Sequence, residues 1–130
     1  METVCVADDC GYPIVLQRTE RSRVAGSRIA SNKALAVAGH KRSTHLFNQA
    51  TNGPALRGNE AFGIQPSFEG RFAVFVGRFP IVVAGEAVVG IGLSGGNGEQ
   101  GTACAIAALQ ALQDRLGPQH QVLVQADIKL

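Results

Sequence analysis

The chain opens with two short apolar runs, TVCVA (3–7) and IVLQR (14–18), separated by the turn-forming stretch DDCGYP. β-favouring residues on either side of an Asp/Gly/Pro cluster predict a hairpin. From Gly26 to about Ala38 the period changes, with Ile29, Ala30, Ala34, Val37 and Ala38 recurring at helical spacing. That stripe is mostly alanine. The predicted helix can lie very close to a sheet, although each residue contributes little buried area. The polar break HKRST (40–44) follows, and a short helix is expected over residues 45–50 before TNGP ends it.

Three further runs, RFAVF (71–75), PIVVA (80–84) and AVVGIGLS (87–94), read as successive strands joined by the turns GRF and GE. A helix is then predicted over about 99–116, with Ile106, Leu109, Leu112 and Leu116 at 3–4 spacing and Gly117-Pro118 as its stop. The closing QVLVQADIKL offers one more strand. Two strands, helices, three strands and a helix do not alternate as βαβα. They predict one α+β domain over residues 1–130, an antiparallel sheet of about five strands flanked by helices.

Composition narrows the function. A chain of 130 residues can bury a single core without staples. Its net charge of +2 gives no electrostatic case for nucleic acid or an anionic membrane surface. No apolar run approaches the ~20 residues of a membrane span, and no basic-then-apolar leader opens the sequence, so a cytoplasmic location is expected. Cys5, Cys10 and Cys104 lack tight metal spacing, and free thiols are expected rather than a metal site. Cys104, in the Ala-rich part of the last helix, reads as a small core residue.

The glycines at 90, 92, 95, 96, 98 and 101 crowd one strand-to-helix junction. Gly90, Gly92 and Gly95 spell GxGxxG, yet the motif comes late and follows a meander. The acid at the right distance, Asp114, falls inside a helix rather than after a strand, so a dinucleotide site is not indicated. Gly90 and Gly92 alternate with Val89, Ile91 and Leu93 and share one strand face. A glycine there admits something close to the backbone: the alanine-faced helix, a ligand or another subunit. SGGNG (94–98) then turns the chain and aims N–H groups outward at a helix start, where anions are favoured.

Taken together, these segments resemble the GlcG/HbpS-like family of small haem-binding or haem-degrading-type proteins, to which the C-terminal domain of PduO-type adenosyltransferases is related. The family's closing pattern, approximately I-G-V-S-G-G-x-x-E-Q-D, appears as IGLSGGNGEQG (91–101), with Leu93 for valine and Gly101 where an acid is expected. Upstream, the pattern D-x-G-G…R…A-x-x-K-A…T is met by Asp8, Gly11, Arg18, Ala30, Lys33, Ala34 and Thr44; FEGRF (68–72) and Pro80-Ile81 also agree. The resemblance spans about Val4 to Leu116. It implies a profilin-like fold, homo-oligomers and small-molecule pockets near subunit interfaces. The chain departs from the family in three ways. The sequence starts almost at the first strand, where the family usually has a helix of about twenty residues, so that helix is expected to be lost or its place taken by QVLVQADIKL or a partner; the double glycine before Pro-Ile is reduced to Gly77-Arg78; and Ala36 stands where a threonine is usual.

Against that background the polar residues become candidates. Lys33 lies toward the apolar stripe of its helix, either with its stem on the core and its ammonium in solvent or, with Arg18, as receiver of a carboxylate or haem propionate. Asp8 is either a turn cap or a proton acceptor. Thr44, Ser94, Gly95, Gly96, Glu99 and Gln100 complete the candidate ligand-binding set, with Glu99 also a candidate acid, although side chains beside glycine loops are often caps. His40 and His45 are five apart, off one helical face, and read as surface histidines or as single axial haem ligands. No tryptophan or aromatic cluster marks a haem slot in the sequence.

Two functions fit. The first is a homo-oligomeric binding protein for a small anionic molecule or cofactor, haem among them. The second is a cofactor-free isomerase, lyase or hydratase. In that reading Lys33, Arg18 and the SGGNG amides hold a carboxylate while Asp8 or Glu99 moves a proton. No nucleophile–base pair is legible, which favours binding.

Overall fold

A computed structural model describes residues 2–41, 43, 46–47, 53–74 and 77–123. The first hairpin forms as its apolar runs predict, β1 (Thr3–Asp8) pairing antiparallel with β2 (Pro13–Arg18). A second hairpin joins β3 (Arg78–Val83) to β4 (Glu86–Ser94) through Ala84 and Gly85, at φ 52° and 85°. Positive φ at both central residues is the primed-turn geometry that follows the twist of the strands. β4 also pairs with β1, and the two-residue β5 (Val122–Leu123) pairs with β3. The sheet therefore runs β2-β1-β4-β3-β5, antiparallel throughout. The protein is an α+β domain.

Strand alternation sends two side-chain sets to opposite faces. Phe79, Ile81, Ile91 and Leu93 meet Ala105 and Leu109 of α3 (Gly98–Leu116), with Val4 and Val6 beside them. On the other face Cys5 and Ala7 meet Ala30 and Ala34 of α1 (Gly26–His40). Opposite Cys5 and Ala7 in β4 stand Gly92 and Gly90. A Cβ on Gly90 would fall 2.5 Å from the Ala34 carbonyl oxygen, and one on Gly92 would fall 2.6 Å from the Ala34 nitrogen. Of the three occupants that glycine pair admits, the alanine-faced helix is the one present.

The outer side of α1 is covered too. Ala36 packs with Ala55, Phe72 and Val74, flanked by Phe47 and Ile64. Residues 33–38 are buried all round and show no single apolar stripe, which is why Leu35 and Ala36 are buried outside the spacing read from the sequence, whereas Ile29, read as part of that spacing, is exposed in the first turn.

Two expectations change, and two others reach past the described residues. Residues 71–74 form no strand; Phe72 and Val74 point inward because they cover α1, not because they pair in the sheet, and Phe75 lies outside the described residues. Of the helix expected over 45–50, Leu46 and Phe47 make a short helical turn and the remaining positions lie outside the described residues. The final strand is confined to Val122–Leu123 among the described residues, with 124–130 outside them. Before β3, the four-residue α2 (Ser67–Gly70) holds Phe68 and Glu69 at positive φ, and Phe68 stacks on Phe72. Cys104 is exposed, because the buried stripe of α3 follows Gly101, Ala105 and Leu109 instead.

The close α1–β4 contact predicts a sharp contrast between glycines. Gly90→Ala and Gly92→Ala should each lower unfolding free energy by about 2–3 kcal/mol or more, as overpacking against backbone does. Gly101→Ala, whose methyl would meet only Gly77 at 3.4 Å, should be neutral or stabilising. Urea unfolding of the three variants tests this, and equal effects would contradict it.

Candidate functional site

At its end β4 gives way to Gly95, whose φ of 137° turns the chain toward α3. Asn97 caps that helix. Its side-chain oxygen accepts from the Gln100 N–H at 2.9 Å, while the Gln100 side-chain oxygen accepts from the Asn97 N–H at 3.0 Å. The N–H groups of Gly95, Gly96 and Gly98 have no such partner among the described residues. From the other side, α1 begins at Gly26, where a Cβ would sit 3.0 Å from the Thr3 hydroxyl and 4.0 Å from that of Ser94. This glycine lets the start of α1 come alongside the loop. Between them lies a hollow of about 300 Å³, lined by Lys33, Arg23, Ser94, Gly95, Gly96 and Gly98 among others.

Lys33 is buried, and its ammonium donates to the Leu93 carbonyl at 2.6 Å. Burial, with repulsion from Arg78, lowers its pKa to about 8, against a smaller upward pull from Glu2. The hollow thus joins a desolvated ammonium, an exposed arginine and the glycine backbone of a helix start. That combination suits a carboxylate or another oxyanion.

Of the residues read from the sequence, Lys33, Ser94, Gly95 and Gly96 come together here. Arg18 does not line the hollow: it pairs with Thr3, which pairs with Ser94, so it stands two strands away, about 10 Å. Arg23 lines it instead. Gln100 is occupied by the capping box, and Glu99 is exposed in the first turn of α3, outside the lining. Asp8 ends β1 at the far side from Thr3; its carboxylate accepts from the Cys10 and Tyr12 N–H groups at 3.0 and 2.8 Å, which is a turn cap. Thr44 and His45 lie outside the described residues.

His40 ends α1 with its ring edge-to-face against Phe47 and Phe72, at 5.1 and 4.6 Å between centroids. Phe68 stacks on Phe72 at 6.0 Å. The aromatic cluster missing from the sequence is therefore assembled by the fold, from positions too far apart to read as a group. Glu2 was also missed. A Cβ on Gly96 would fall 2.5 Å from its carboxylate, which places that group against the glycine loop.

The chain is similar to several known proteins. A family model described as "Haem degrading protein HbpS-like" matches residues 2–110. An uncharacterized 15.0 kDa protein from the dhaT-dhaS intergenic region of Citrobacter freundii is 28% identical over 109 residues, covering 84% of this chain and 74% of that one. Among solved structures, the Klebsiella pneumoniae protein ORFY superposes with a TM-score of 0.77 at 27% identity, over 84% of this chain and 72% of its own. A complex of PduOC with heme gives 0.78 at 25% identity, over 85% and 77%.

Depression of the Lys33 pKa has a stability consequence. Between about 8 and the ordinary 10.5 the folded state holds fewer protons than the unfolded state, so this group's contribution rises with pH across that window. Cys5, whose thiol is pushed up by burial, acts in the opposite direction, but it is common to wild type and variant. Urea unfolding between pH 7 and pH 10 should show wild type gaining stability relative to Lys33→Met as pH rises. A flat difference would contradict the buried ammonium.

Proposed function

This chain belongs to the HbpS-like family, and on that premise we propose that it is a homo-oligomeric binding protein for a carboxylate-bearing small molecule, haem foremost. The observation that carries the reading is the meeting of the Lys33 ammonium with the N–H groups of Gly95, Gly96 and Gly98 around one hollow. Arg23 adds a planar donor fork at the rim. The structural relative PduOC was solved with heme.

Fit to haem divides into two parts. A hollow of about 300 Å³ lies at the small end of ligand clefts and suits a carboxylate arm, not a whole macrocycle. The propionate end would be held by Lys33, Arg23 and the loop N–H groups. The apolar part has an exposed ring to meet at Phe68, which stacks on the buried Phe72 beside His40, about 10 Å along α1 from Lys33 by helical rise. Bound haem would supply a redox-active iron; the chain supplies charge at one end and aromatic surface at the other.

The isomerase, lyase or hydratase reading casts Asp8 or Glu99 as the acid that moves a proton beside Lys33. Asp8 is engaged in its turn and Glu99 stands outside the hollow, so neither supports that chemistry. Self-association is supported by β2, an edge strand exposed along its whole length, with Ile14 63%, Val15 50% and Leu16 44% accessible. Apolar edge strands of that kind invite pairing. Among the described residues no helix is long and apolar enough to cross a membrane.

Titration with hemin should give a Soret shift that saturates at one site per chain, weakened about tenfold or more in Lys33→Met. Diffuse, unsaturable binding would overturn the haem assignment. Light scattering at micromolar concentration should report an oligomer, and Val15→Lys on β2 should dissociate it; a monomeric wild type would overturn the assembly.

A further inference from the structure

Arg78 begins β3 directly opposite Gly92, so its side chain enters the α1 face of the sheet. It is fully buried, at 0% accessibility. Its three guanidinium nitrogens have no hydrogen-bond partner among the described residues. A guanidinium carries five donors in a fixed fork and stays charged in ordinary proteins, so burying it unpaired is costly. Desolvation pulls its pKa down to about 9. Backbone bonding does hold the strand in place, since the Ser43 hydroxyl donates to the Arg78 carbonyl at 3.1 Å.

Lys33 lies beside it. A Cβ on Gly92 would meet the Lys33 Cβ at 2.8 Å, so the lysine stem passes over the residue paired with Arg78. The Lys33 ammonium lies 3.5 Å from where a Cβ on Gly77 would be, one residue before Arg78. Two cations therefore share one buried stretch of the sheet face. Glu2 is the acid that acts on Lys33, and no acid bonds to the Arg78 guanidinium among the described residues. Because Lys33 also lines the hollow, it bridges the loop N–H groups and the buried arginine.

We propose that Arg78 is an inner anion receptor: one carboxylate group, passing the Lys33 ammonium from the hollow, completes the guanidinium fork in bidentate fashion. This rests on the reading of the hollow as an anion seat, and it extends that seat inward to a residue buried out of its lining. A planar carboxylate matches two parallel N–H donors and neutralises the charge that burial penalises.

Acetate is the probe, with chloride at matched ionic strength as control, and the thermal midpoint of the full chain as readout. Wild type should show a midpoint that rises saturably with acetate and not with chloride. Arg78→Met should unfold at a higher temperature than wild type without acetate, since it removes an unpaired buried charge, and should lose the acetate response. Arg78→Lys should bind acetate about tenfold more weakly, keeping charge without the fork. In wild type the Arg78 Nε–H resonance should move with the same saturation curve, a readout that needs no variant to fold. An Arg78→Met protein that still responds like wild type, or an Nε–H signal that stays fixed, would overturn the inner receptor while leaving the hollow reading standing if hemin still saturates. No saturable acetate response in wild type would overturn the receptor, whereas failure of hemin alone would overturn only the haem assignment.

Discussion

At Gly90 and Gly92 the backbone of β4 lies against the backbone of α1 with no side chain between them. Alanines at 30 and 34 complete the contact from the helix side, and Cys5 and Ala7 extend it across β1. Small residues on both surfaces bring helix and sheet closer than ordinary core side chains would permit. The area each contributes is small, so stability in this layer depends on shape more than on bulk. Ala36 with Phe72 and Val74 seals the outer side of the same helix, making α1 a central element instead of a surface one.

That closeness determines the electrostatics. A lysine one turn along from Ala30 has nowhere to extend except across the sheet, and its ammonium ends on the Leu93 carbonyl. The space over Gly92 is shared with Arg78, whose guanidinium is enclosed without a partner among the described residues. In water these charges would be unremarkable; in this interior each raises the cost of the other. In the proposed function an arriving anion would relieve both, entering past the turn at Gly95 that lines the hollow.

Much of the fold was legible because its determinants are local. Hairpin β1–β2, helix α1 and helix α3 with its Gly117 stop follow from runs, period and punctuation within a few residues. The glycine alternation in β4 even indicated a close partner. Residues 71–74 misled, since inward alternation at Phe72 and Val74 looks the same whether a segment pairs in a sheet or covers a helix. Of the site, Lys33 and the glycine loop could be read, because both sit in patterned segments. Arg23 and Glu2 could not, as nothing local separates a loop arginine or a terminal acid at a rim from one in solvent. Arg78 followed a glycine in a turn-like context, and only the pairing of β3 with β4 shows that its side chain is turned inward. Long-range register has no local signature, and the aromatic group around His40 was hidden for the same reason.

The central claim is that the strand-to-helix glycine loop and Lys33 act as one seat for a carboxylate. Amide nitrogen–proton spectra recorded during a propionate titration test it most directly. The account predicts saturable shifts confined to the Gly95, Gly96 and Gly98 N–H signals and the neighbouring start of α1, all fitting one dissociation constant. Unmoved loop signals, or shifts spread over the surface without saturation, would contradict it.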